Sequence, residues 1–178
     1  METARAKAGG HVTYLAQSEQ AAVLVMLQTD ALTRRFGRLT AVDAFTLSVK
    51  AGGVFGLLGP NGAGKSTAIK MLTTLLPPTA GAARVAGFDI VRQAAQVRRV
   101  IGYVPQLLSA DGALTGYENL LVFARLYELP RRERDQRIHE ALAFMNLDDV
   151  ADRLVGTYSG GMIRRLEIAQ ATLHRPPN

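Results

Sequence analysis

The nine residues GPNGAGKST at 59–67 constrain this chain more than any other stretch. Before them stands VFGLL (54–58), an apolar run of the length of a fully buried strand. After them comes AIKMLTTLL (68–76), in which Ile69, Leu72 or Thr73, and Leu76 recur at helical spacing; Pro77 and Pro78 then stop the helix. Strand, glycine-rich loop and helix therefore follow in order. The loop satisfies G-x-x-x-x-G-K-[ST] through Gly59, Gly64, Lys65 and Ser66.

The chemistry of a phosphate group asks for these residue types. Its oxygens must approach several backbone N–H groups, which a Cβ would obstruct, and glycine also permits the φ > 0 turns involved. The N–H groups of 62–66 are expected to form an anion nest at a helix N-terminus, where the helix dipole adds positive potential. Lys65 brings a full charge to the β- and γ-phosphates, Ser66 offers a hydroxyl to Mg²⁺, and Thr67 supports the phosphates. The expected phosphate-binding set is Gly59, Pro60, Asn61, Gly62, Ala63, Gly64, Lys65, Ser66 and Thr67.

The rest of the chain sets bounds. It has 178 residues, one domain's worth, and is 48% hydrophobic and 20% charged, as a folded domain is. Without cysteine it has neither a disulfide framework nor a thiolate zinc site. The net charge of +6 suits nucleic acid, an anionic ligand or an anionic surface, but the charges are scattered. RRERDQR (131–137) mixes signs and reads as a solvated helix face. No apolar run is long enough to span a bilayer, and AAVLVML (21–27) lacks the flanks of an export signal. Residues 1–27 read as an N-terminal extension, with Met26 as an alternative start. From residue 28 the chain organises: AFTLSVK (44–50) alternates with Phe45, Leu47 and Val49 on one face, and AGG (51–53) turns it.

TYSGGMIRRLEIAQATLHRP (157–176) resembles the signature region of ATP-binding cassette (ABC) ATPases. The usual core is Leu-Ser-Gly-Gly-Gln; here it is Tyr158-Ser159-Gly160-Gly161-Met162, similar to the daunorubicin-resistance branch of exporters. On its own residues, Ser159 is a good N-cap, and Met162, Leu166, Ala169 and Leu173 mark one apolar helix face. The resemblance implies that Ser159, Gly160 and Gly161 contact the γ-phosphate held by another subunit. ATP then joins two head-to-tail copies, and nucleotide occupancy is linked to closure.

RVIGYVPQ (99–106) reads as a strand over 101–104 ended by Pro105; Gln106 then matches the family's Q-loop glutamine, a neutral amide for Mg²⁺ or the attacking water. Phe36 lies where the family carries an aromatic that stacks on adenine, although the family more often has Tyr. LTGYENLLVFARLYELP (114–130) opens with a capping box, Thr115 and Glu118, and sets Leu120, Phe123, Ala124 and Tyr127 on one face. A second helix runs through Ile138, Leu142 and Met145, with His139 exposed. The resemblance covers 28–176 and makes 28–178 a partial ABC ATP-binding domain, its helical subdomain at about 107–160. The implied fold is α/β: a P-loop NTPase of the ABC ATPase type, with an antiparallel β subdomain and a helical subdomain, incomplete at the C-terminus.

In the family, a buried strand ending in Asp-Glu and a later histidine loop follow HRP. Neither lies within 1–178, and His174 is not the switch histidine. The chain reads as cut before its hydrolytic half. It is expected to hydrolyse poorly by itself, and 54–58 is expected to lose sheet pairing. The implied function is the ATP-binding subunit of an exporter of small molecules, drugs or antibiotics among them. Its implied cofactors are ATP and Mg²⁺, held at Ser66 and Gln106. Its implied partners are a transmembrane permease and a second copy, without nucleic acid, and its implied place is the cytoplasmic face of the membrane. A soluble ABC-type ATPase and an inactive fragment are the alternatives.

Overall fold

The computed structural model describes residues 25–176. The extension read over 1–27 falls outside these residues, save 25–27, which open the first strand. The chain divides into two compact units, one running to Arg98 and a second from Arg99 to Pro177.

The first unit is built on a four-stranded antiparallel sheet of order β2-β1-β3-β4. Its strands are β1 (Val25–Phe36), β2 (Leu39–Lys50), β3 (Ala80–Val85) and β4 (Phe88–Asp89). The alternation read over 44–50 is present: Leu47 is buried and Phe45 and Val49 are half-buried, while Thr46, Ser48 and Lys50 are exposed. The β1–β2 ladder is interrupted by register shifts, and Ala31 and Ala44 both adopt φ 45°. Two buried threonines accommodate the irregularities. Thr29 Oγ1 donates to Phe45 O (2.9 Å), and Thr33 Oγ1 donates to Ala31 O while accepting from Ala44 N–H, both at 3.0 Å. Backbone groups that the bulges remove from the ladder are thus satisfied by side chains.

Helix α1 (Lys65–Leu72) follows the glycine-rich loop. Its buried face is Ala68 and Met71, not the expected Ile69, Leu72 and Leu76; Ile69 is exposed. The helix also ends before the two prolines. Thr74 takes φ 62°, Leu75 N–H donates to Lys70 O (2.8 Å) and Thr74 N–H to Met71 O (3.1 Å), a Schellman closure. The shorter helix cannot carry a stripe as far as Leu76, and its buried face is the pair one turn apart, Ala68 and Met71.

The run 54–58, read as a strand that would lose its sheet pairing, joins no ladder, and Val54 and Leu58 are exposed. An apolar run becomes a strand only where a neighbour meets its N–H and C=O groups, and none of the four described strands pairs with it.

In the second unit, α3 (Gly116–Leu126), α4 (Arg131–Phe144) and α5 (Gly160–Thr172) surround a core of Leu120, Ala124, Ile138, Leu142, Leu166 and Ala169. The capping box at Thr115 and Glu118 is formed, and the periodic faces of all three helices are those read from the sequence. His139 is exposed and pairs with Asp135 (3.5 Å). The strand expected at 101–104 is absent. Residues 101–105 follow helix α2 (Ala94–Val100) and run without a ladder, with α5 packed beside them: a Cβ at Gly102 would meet the carbonyl of Ala171.

Candidate functional site

The glycine-rich loop has the backbone its sequence demands. Gly62 and Gly64 adopt φ 83° and 81°, the left-handed region that costs an L-residue about 1–2 kcal/mol. At Gly64 space is also closed: a Cβ there would collide with the carbonyl oxygen of Ala41 on β2. The turn is closed by Ala63 N–H donating to Pro60 O (3.2 Å), and α1 starts directly, with Ala68 N–H donating to Gly64 O (2.8 Å). No side chain caps α1 and no acidic residue occupies its first turn. The N–H groups at this end have no intrahelical partner, and the helix dipole makes the end positive. Lys65 Nζ donates to Gly59 O and Pro60 O, both at 2.7 Å, so its charge sits over the loop. Ser66 is exposed at the helix start and Thr67 is half-buried. The charge at this end of α1 favours an anion over an apolar group.

Phe36 ends β1 in the same unit, 45% exposed, with its neighbour across the hairpin at Leu39. The Arg34 guanidinium lies 4.6 Å from its ring centroid and donates to Pro77 O (2.8 Å). One ring face is therefore covered by a cation and the exposed remainder can accept a planar group.

In the second unit Ser159 caps α5. Its Oγ accepts from Met162 N–H (3.3 Å), and Ser159 N–H meets Met162 Sδ (3.5 Å). Gly160 and Gly161 are exposed, and a Cβ on either would meet nothing within 4 Å. Neither has a positive φ. Among the described residues nothing crowds the two glycines, and the start of α5 is left open to solvent. Gln106 is exposed in a bend after Pro105.

Two residues that tie the Gln106 loop to α5 escaped the sequence reading. Glu167 is buried at 2% exposure, its carboxylate accepting from Ser109 N–H and Oγ–H and from Arg164 Nη1 (3.0 Å). Arg164 in turn donates to Pro105 O (2.6 Å) and Gln106 O (3.1 Å). The only signal was an acidic residue beside the apolar stripe of α5, which a solvated helix would show equally.

Residues 42–177 match the ABC transporter family. The chain belongs to that family. It is 45% identical over 150 residues to the daunorubicin resistance ATP-binding protein DrrA2 of Streptomyces coeruleorubidus, covering 84% of this chain and 47% of that protein. The linearmycin resistance ATP-binding protein LnrL of Bacillus subtilis is 40% identical over 151 residues, covering 85% of this chain and 49% of the relative. A solved structure of the ATP-binding subunit of an ABC transporter superposes with a TM-score of 0.71 at 27% identity, covering 85% of this chain and 63% of that one. This ABC transporter chain thus spans about half the length of the curated relatives it matches. Its fold is that of an ABC ATPase, with the antiparallel sheet and the helical subdomain both present.

Proposed function

We propose that this chain is the nucleotide-binding part of an ABC exporter subunit that binds ATP and, in the intact protein, hydrolyses it to drive export of a small molecule. The observation that carries the reading is the loop at 59–67: left-handed Gly62 and Gly64 lead into an uncapped helix, with Lys65 over the turn. In this reading Gly59–Thr67 hold the triphosphate and Phe36 stacks on the base. Mg²⁺, when bound, supplies charge neutralisation at the phosphates. The Ser66 hydroxyl, exposed at the start of α1, is the group of this loop that would meet the ion beside the phosphates.

The unencumbered Gly160–Gly161 turn supports a second role: with Ser159 it serves the nucleotide of another copy, in a head-to-tail homodimer. Among the described residues no helix is long and apolar enough to cross a membrane, and export requires a transmembrane permease as partner. The chain then works at the cytoplasmic face of that membrane. The relatives named for daunorubicin and linearmycin resistance point to drug-like cargo.

Titration with labelled ATP and Mg²⁺ tests the reading. Saturable uptake is expected, with Lys65→Ala weakening it about 10- to 100-fold, as loss of a charged hydrogen-bond donor does. Equal uptake by the Lys65→Ala chain would sink it.

A further inference from the structure

We propose that Arg34 is a positioning residue for the nucleobase: its guanidinium closes one face of the Phe36 ring, so that the base stacks on the opposite face. This rests on the nucleotide-binding reading above, and within it on Phe36 meeting the base. The parts all belong to the first unit and gather at one end of the β1–β2 hairpin. Phe36 pairs with Leu39 there, and Arg34 with Val42. The glycine-rich loop packs on the same end: a Cβ at Gly64 would meet the carbonyl oxygen of Ala41 and, at 3.1 Å, Val42 Cγ2. Leu39 and Ala41 are two positions apart, about 7 Å along a strand. The ring and the phosphate-binding turn therefore share one hairpin end, as a single nucleotide requires.

The guanidinium is held from two sides. Its carbon lies 4.6 Å from the Phe36 ring centroid, and Nη1 donates to Pro77 O (2.8 Å). The segment carrying that carbonyl is itself tied to β1. Thr79 N–H donates to Thr33 O (2.8 Å), and Arg35 N–H donates to Thr79 Oγ1 (3.0 Å). Arg34 Nε is buried without a hydrogen-bond partner among the described residues. An unpaired buried N–H is costly, and contact with the ring offsets that cost. An arginine that served only to reach Pro77 would need no ring beneath it. For the base there are two consequences. The ring is fixed before the base arrives, so less side-chain freedom is lost on binding. A cation behind the ring also draws its π electrons away from the open face, which then repels an electron-rich purine less.

The test uses the full 178-residue chain with Arg34→Met, Phe36→Ala and the two combined. Arg34→Lys takes the place of Arg34→Met if the latter unfolds, since it keeps a cation but loses the planar stack. Affinity is read for ATP and for inorganic tripolyphosphate, which has no base to stack. Phe36→Ala should weaken ATP about tenfold. Arg34→Met should weaken ATP about three- to fivefold. Neither should change tripolyphosphate affinity, and Arg34→Met should cost nothing further once Phe36 is alanine. Three results overturn the inference: unchanged ATP affinity in the Arg34 variant, equal weakening of ATP and tripolyphosphate, or an undiminished Arg34 effect in the Phe36→Ala chain. The second would make Arg34 a general charge and the third a structural tie alone. If Phe36→Ala itself leaves ATP affinity unchanged, base stacking falls and this inference with it, while phosphate binding through Lys65 stands. No saturable ATP uptake by the unsubstituted chain overturns the whole nucleotide-binding reading.

Discussion

Tyr158 donates its hydroxyl to the carbonyl oxygen of Val150 at 2.6 Å, and that hydroxyl occupies the space that a side chain at Gly116 would need. A Cβ on Gly116 would stand 2.5 Å from that hydroxyl oxygen. The residue before the Ser159 turn is thus anchored in the helical subdomain, and the first residue of α3 is small because of it. Tyr158→Phe should cost about 1 kcal/mol for the lost hydrogen bond. Gly116→Ala should cost about 1–3 kcal/mol by overpacking. Together the two should cost less than their sum, since removing the hydroxyl opens the space. Denaturant unfolding of the single and double variants gives the coupling energy; additivity would contradict the contact.

Gly64 is held by both conformation and space. Gly64→Ala should lose at least about 1–2 kcal/mol of stability from the left-handed φ, with the collision against Ala41 added to it. The loop must shift to relieve that collision, so ATP uptake should fall with stability. A thermal melt beside a nucleotide titration checks both; a Gly64→Ala chain that melts and binds normally would be inconsistent with this loop.

The capping box of α5 is a weak one, because its second arm is a thioether, a poor acceptor, at 3.5 Å from Ser159 N–H. Met162→Gln supplies an amide oxygen at the same position. Stability is expected to rise by about 0.5 kcal/mol, visible as a higher denaturation midpoint with an unchanged slope.

His174 stacks on Tyr127 with ring centroids 4.0 Å apart. Burial pushes its pKa below the ordinary 6.5, only partly offset by the nearby backbone of Ile101. The neutral form is thus the folded form, and protonation favours unfolding. The stabilisation is complete above 6.5 and is lost as pH falls from there through the lower folded value. Melting temperature should decline over that window, and His174→Phe, which keeps the stack, should flatten the decline. An equal slope in both chains would exclude His174 as its source.

Much of the helical subdomain could be read from local patterns. The capping box at Thr115 and Glu118, the stripe through Leu120 and Ala124, and the cap at Ser159 each concern residues within one or two turns. The turn of the glycine-rich loop and the helix after it were legible for the same reason: left-handed Gly62 and Gly64 and the start of α1 at Lys65 concern residues within a few positions of one another. The alternation of 44–50 survived because β2 keeps one regular face there. β1 was not seen, since its bulges at Ala31 and opposite Ala44 break the period of two that announces a strand.

Local chemistry within a few residues was therefore determined by the sequence alone: the helices α3, α4 and α5, and the caps at Thr115 and Ser159. Tertiary structure alone decided which apolar runs become strands. VFGLL and IGYV have the composition of strands, yet neither finds a ladder among the described residues, because a strand's hydrogen bonds belong to its neighbour. It also decided that Glu167, polar by composition, lies buried: its partners are Arg164, three positions before it, and Ser109, far earlier in the chain, and no periodicity along α5 encodes that distance.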